Sequence, residues 1–188
     1  MMNEVLKAIF DRRSNRAYSD VQLTEDELKT LIDVALASPT ARNTQYWHFS
    51  VVQNQALLEE INDELARLME ANRPQGQRGR FNESGFQVFY HAPTVFFIST
   101  PIDSDSAFTE IDAGIASENL AIAAQGMGLG SVILGLPRIA LLGEKEAYFN
   151  EKLGVPEGYR FSIAVAVGHP TLGKEAHPIG ENKVTVIR

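Results

Sequence analysis

Ile111-Asp-Ala-Gly-Ile-Ala-Ser-Glu-Asn-Leu-Ala-Ile-Ala-Ala-Gln-Gly-Met-Gly-Leu-Gly-Ser131 decides the fold. Residues 111–127 spell the longest apolar helix of the chain, and its second half is hydrophobic almost all round. A helix of that kind is buried in a core or in an interface between copies. Gly126, Gly128 and Gly130 close it, with Gly128 placed as a left-handed cap. A dinucleotide-binding fingerprint needs its glycines to open a helix after a strand. These end one, so a doubly wound Rossmann reading is rejected.

Outward from that helix, the order of elements is not a clean alternation of strand and helix. Val5, Leu6, Ile9 and Phe10 repeat at helical spacing, which predicts a first helix over 2–12. Thr24 and Glu27 form a capping-box pattern with Leu23 and Leu28 at staple positions. The second helix starts there and ends at Ser38-Pro39, because the residue before proline avoids helical angles. A polar loop, 39–46, leads into a strand over 47–52, and a third helix covers 55–71. The stretch 72–86 is rich in Gly, Gln, Arg and Asn and reads as a mobile excursion or lid.

Thr94-Val-Phe-Phe-Ile-Ser-Thr100 is apolar on both faces and predicts a central strand. Short strands follow at 131–134 and 161–168, with a helix over 143–153 between them. Phe161, Ile163, Val165 and Val167 alternate with Ser162, Ala164, Ala166 and Gly168, so the small face admits a closely packed neighbour. Lys183–Ile187 reads as a last strand at the end of a C-terminal arm, 171–188, completing this sheet or one in a partner subunit. The expected architecture is α+β, with four or five strands surrounded by helices in one layered domain, 1–188.

Composition narrows the function. The chain has 188 residues, a net charge of −7 and no cysteine. Acidity argues against nucleic acid as a main partner. Without thiols there is no disulfide, thiol nucleophile or Cys-ligated metal, so redox chemistry must come from a bound cofactor. No apolar run approaches membrane-spanning length, and a cytoplasmic location is the expectation. The four histidines lack metal-ligand spacing, and neither a nucleophile elbow nor a Walker loop is present. No catalytic dyad and no metal site is expected.

Against that acidic background stands Asp11-Arg12-Arg13-Ser14-Asn15-Arg16-Ala17-Tyr18. A guanidinium is a rigid, permanently charged fork of donors suited to a phosphate or a polar ring edge. The alternative is that these arginines finish the first helix, where cations complement its C-terminal dipole.

Taken together, four places resemble the FMN-dependent nitroreductase family. They are Arg12-Arg13-Ser14-x-Arg16-x-Tyr18, the segment Ser38 to Phe49 with Asn43 and Gln45, the 111–131 stretch, and Gly168-His-Pro170 before a basic tail. The resemblance covers most of the chain and implies a mostly antiparallel sheet. It also implies a homodimer with FMN at the subunit interface, and helix 111–127 as its seam. It places Arg12 and Ser14 at the FMN phosphate and ribityl chain. Arg13 falls at the phosphate or the pyrimidine edge, and Arg16 near the phosphate or on the surface.

Asn43 and Gln45 would meet the isoalloxazine edge, and the backbone of Gly135 and Leu136 would face N5 and O4. Lys174, with His177, Lys183 or Arg188 as alternatives, would supply a C-terminal phosphate contact. Tyr46 stands where the family commonly has proline. The implied activity is an NAD(P)H oxidoreductase that reduces nitroaromatic or quinone acceptors by ping-pong hydride transfer, with the chemistry carried by flavin N5. Alternatives are a specialised flavin enzyme of the same fold (dehalogenation, desaturation or flavin breakdown) and a flavin-binding or storage protein without turnover.

Overall fold

A computed structural model describes residues 2–72, 85–176 and 178–188. Most of the 72–86 excursion lies outside the described residues, as does His177. The helices are α1 (Glu4–Asp11), α2 (Glu25–Leu36), α3 (Gln55–Ala71), α4 (Thr109–Gly126), α5 (Arg138–Leu141) and α6 (Glu146–Leu153). The strands are β1 (His48–Val52), β2 (Thr94–Pro101), β3 (Gly130–Leu134) and β4 (Tyr159–Gly168). They form one sheet in the order β1-β2-β4-β3, with every neighbouring pair antiparallel.

Local chemistry explains the boundaries. The Thr24–Glu27 capping box forms in full, and Leu23 and Leu28 meet in one apolar cluster. Gly128 takes φ 76° after α4, and Gly154 takes φ 65° after α6. Left-handed angles there end each helix at little cost for a residue without Cβ.

β2 is buried along both faces and divides the core in two. Val95 and Phe97 pack with Leu58, Ile61 and Leu65 of α3 and Phe149 of α6. Phe96 and Ile98 pack with Leu31 of α2 and Ala113, Ala116 and Leu120 of α4. The result is three layers, with α1 lying on α4.

Three expectations need correction. The helix expected over 143–153 is α6 and begins only at Glu146, while a separate four-residue helix, α5, precedes it at Arg138–Leu141 and was not expected. Phe161 sits with Ala164 and Ala166, not with Ile163, Val165 and Val167. A register shift at Ile98/Ser99 changes the phase of the pleat between Phe161 and Ile163. The strand over 183–187 makes no ladder in this chain, and Val184, Val186 and Ile187 are exposed.

One buried charge ties the α3 layer together. The Glu64 carboxylate accepts from Arg67 at 2.7 Å and pairs with Lys145 at 2.8 Å. The Arg67 hydrogen bond, and then Lys145, outweigh burial and hold its pKa near 2, down from 4.5. A depressed carboxylate contributes stability that is present above its unfolded pKa and lost as pH falls through the folded one. Thermal denaturation between pH 4.5 and 2 should therefore fall less steeply in Glu64→Gln than in the parent. Parallel curves would show that Glu64 gains nothing from its partners.

Candidate functional site

The arginine run is laid across the open ends of β3 and β4. Asn15 N donates to Ser131 O at 2.8 Å, Ser19 N to His169 O at 3.0 Å and Thr171 N to Ala17 O at 3.1 Å. Bridges pair Ser14 with Ser131 and Tyr18 with Pro170. Close approach needs the two glycines that face each other in the ladder, Gly130 and Gly168. A Cβ on Gly130 would lie 2.8 Å from Asn15 Cγ, and one on Gly168 would lie 2.5 Å from Pro93 Cδ and 3.1 Å from Tyr18 Cδ1.

So docked, the run meets the C-terminal arm. Arg12, Arg13, Ser14 and Lys174 line one groove of about 530 Å³ with Ile9, Phe10 and Ile179. Ser14, Arg16 and Lys174 line an adjoining one of about 240 Å³. Four residues expected at one phosphate from opposite ends of the sequence thus share a surface. Lys183 and Arg188 do not line these two grooves.

The three arginines differ in commitment. Arg13 donates to the carbonyls of Phe10 at 2.7 Å and Arg12 at 2.8 Å, so it finishes α1, as the helix-cap alternative requires. Arg12 pairs through Nε with Glu118 of α4 at 3.2 Å, yet its buried Nε makes no well-aligned hydrogen bond. Arg16 lies 5.8 Å over the Tyr90 ring, a cation–π distance. It also lines a third groove, about 350 Å³, with Tyr18, Phe86, Gln87 and Tyr90. Tyr90 and His91 both take positive φ, at 55° and 56°, and this turn carries the ring beneath Arg16. Burial pushes the Tyr18 hydroxyl well above the usual tyrosine range, and it donates to Asn15 O at 2.9 Å.

Asn43 and Gln45 are brought to each other, with Gln45 Nε2 donating to Asn43 Oδ1 at 3.0 Å. Asn43 ends a short 3-10 turn, Ala41–Asn43, and Gln45 follows it; neither lines the three grooves above. Gly135 follows β3 with open space where a Cβ would stand, and Leu136 packs on the α3-side core. Among the described residues no cluster of His, Cys, Asp or Glu could hold a metal, and no helix is long and apolar enough to cross a membrane.

From the sequence, Tyr90 has a place only among the aromatics, with Phe81 and Phe86, expected to shape acceptor choice, and Asp112, Glu118 and Asn119 have no individual role. The last three were visible as polar residues inside an apolar helix, but only contacts distant in sequence give them roles.

The sequence profile of the Nitroreductase family matches residues 9–169. A relative in Archaeoglobus fulgidus, provisionally named NADH dehydrogenase/NAD(P)H nitroreductase, is 32% identical over 170 residues, covering 90% of this chain and 87% of its own. The NADPH-flavin oxidoreductase of Vibrio harveyi is 27% identical over 183 residues, 94% of this chain and 70% of its own. The crystal structure of a nitroreductase with bound FMN from Desulfitobacterium hafniense DCB-2 superposes with a TM-score of 0.93 at 29% identity, covering 100% of both chains. With the profile spanning most of the sequence and the fold shared from end to end, this chain belongs to the nitroreductase family.

Proposed function

We propose that the protein is a homodimeric FMN-dependent NAD(P)H oxidoreductase acting on nitroaromatic or quinone-type acceptors. The observation that carries this reading is the meeting of Arg12, Ser14 and Lys174 on one groove of an otherwise acidic chain. The donor set fits FMN: cations and a hydroxyl for the phosphate, with Arg12 keeping a buried Nε short of a hydrogen bond. When bound, FMN supplies the redox chemistry, taking hydride from NADH or NADPH and passing it to the acceptor in a ping-pong cycle.

The chain's residues bind and orient. Arg12 and Lys174 neutralise the phosphate, and Ser14 donates to it or to the ribityl chain. Arg13 serves as the end of α1 with its outer edge toward the same groove. Arg16, free of the helix carbonyls and propped on Tyr90, is the cation for the pyrimidine edge. A fixed positive charge there favours the electron-rich form of the ring. Asn43, Gln45 and the Gly135–Leu136 backbone complete the cradle. No acid or base side chain is required of the protein.

The partner is a second copy. α1 and the adjoining α4 leave Val5, Phe10, Ile111 and Ile115 exposed, and apolar surface left open on two packed helices is of the kind that marks interfaces. β1 has a free edge beside a groove of about 310 Å³ lined by Ile32, Leu36, Trp47 and Phe49. The 183–187 strand of the other copy pairs with that edge. Removing residues 181–188 should then speed amide exchange along β1 of the dimer; unchanged protection would place the arm elsewhere.

Two measurements test the reading. After mixing with FMN and desalting, the protein should keep a flavin band that NADH or NADPH bleaches without oxygen. An empty protein refutes it, and a bound flavin that neither nucleotide reduces points to storage. Arg12→Ala should weaken FMN binding by one to two decades, the equivalent of roughly 1.5–3 kcal/mol for one charge-assisted contact. Unchanged affinity by fluorescence titration would return Arg12 to its pairing with Glu118.

A further inference from the structure

The 38–45 loop holds a backbone its side chains disfavour. Arg42, Asn43 and Gln45 take φ of 55°, 55° and 50°. Residues with a Cβ persist in that region only where their surroundings over-determine it. Two of the holds are internal to the loop: Gln45 N donates to Thr40 Oγ1 at 3.0 Å, and the Gln45 and Asn43 side chains join. The other two come from α4. Ala41 N donates to Asp112 Oδ1 at 3.1 Å, and Asn119 Nδ2 donates to Ser38 Oγ at 3.0 Å.

Asp112 is a poor choice for folding alone. It is 4% exposed, and its second oxygen, Oδ2, is buried without a hydrogen-bond partner. A carboxylate left half-satisfied inside a protein is unfavourable, and the neighbouring α4 positions are Ala113, Ala116 and Ser117. The place of Asp112 in the first turn of α4, at the positive end of the helix dipole, offsets part of that, but the unmet Oδ2 remains a departure from good packing rules that marks a residue kept for another reason.

We propose that Asp112 and Asn119 are positioning residues, which pin the 38–45 loop from one helix so that Asn43 and Gln45 stand ready for the flavin ring. The inference rests on the reading that this loop meets the cofactor. α4 would then set the loop from its inner side while its outer side, through Ile111 and Ile115, meets the second copy.

The test uses the full chain with and without FMN. Asp112→Ala should speed amide exchange of Ala41 and Gln45 in the apo protein while β2 amides keep their protection. FMN affinity should fall about tenfold, the size of one lost hydrogen bond, and the bound flavin's visible band should shift. Asp112→Asn keeps an acceptor for Ala41 N and should restore most of all three. Loop amides as protected as in the parent, or β2 amides loosened equally, would overturn the proposal. If Asp112→Ala does not fold, Asn119→Ala reads the same way from the Ser38 end. Asn43→Ala separates the two failures. If it leaves FMN binding unchanged, the loop is no flavin contact and this inference falls with that reading; if it weakens FMN while Asp112→Ala leaves the loop tight, only the positioning role falls.

Discussion

With Ile111 and Ile115 both changed to aspartate, the protein should elute as a folded monomer and emerge from FMN desalting colourless. Both side chains are exposed in the single chain, at 56% and 36%. Substitutions at such positions normally move the stability of a lone subunit by no more than about 0.5 kcal/mol. In a dimer sealed by α1 and α4, the same change puts four carboxylates into an apolar seam. Each unpaired buried charge costs several kcal/mol, so even about 4 kcal/mol in total would weaken association by some three decades. Gel filtration with in-line scattering and the flavin spectrum together decide. A monomer that retains FMN would place the whole site within one chain, and a dimer that persists would move the seam away from α4.

How much of this was legible beforehand depended on the range of the interaction. The Thr24–Glu27 box, the two-sided apolar run of β2 and Gly128 after α4 are statements about residues a few positions apart, and each stands in the structure as expected. The α5 turn is four residues long, too short for any period to show. The shift at Ile98/Ser99 turns Phe161 to the other face through pairing with a strand some sixty positions away. Residues 183–187 alternate apolar and polar as a strand does, but a strand also needs a partner, and among the described residues of this chain they pair with none.

The site was legible as a set of residue types and not as an arrangement. Arg12, Arg13, Ser14 and Arg16 are adjacent in sequence, so one reading covered them all; in space one finishes a helix, one pairs with Glu118 and one lies over Tyr90. Lys174 shares their groove because β4 returns the chain beside the run. The left-handed angles at Arg42 and Gln45 had no sequence signal, since glycine is absent from that loop and only Asn43 is of a type that takes such angles readily.

Gly168→Ala should lower the melting temperature and loosen FMN together, because the same contact serves both. Two effects oppose each other. Replacing glycine with alanine restricts the unfolded chain and by itself gains about 0.4–1 kcal/mol. Against it, the new methyl would sit 2.5 Å from Pro93 Cδ and 3.1 Å from Tyr18 Cδ1, and both rings are stiff. Overpacking of that kind costs about 1–3 kcal/mol, so the loss wins. At this chain length each kcal/mol is worth about 2–4 °C. Most of the strain falls on Pro93 and part of it on Tyr18, whose backbone bridge to Pro170 helps hold the arginine run on the sheet, so FMN affinity should drop with stability. Gly126→Ala is the control: it has open space for a Cβ at the end of α4 and should be neutral or stabilising. If Gly168→Ala melts like the parent, the run is not seated against β4 as described. If it melts lower yet binds FMN as before, the seat of Tyr18 and the phosphate groove are independent.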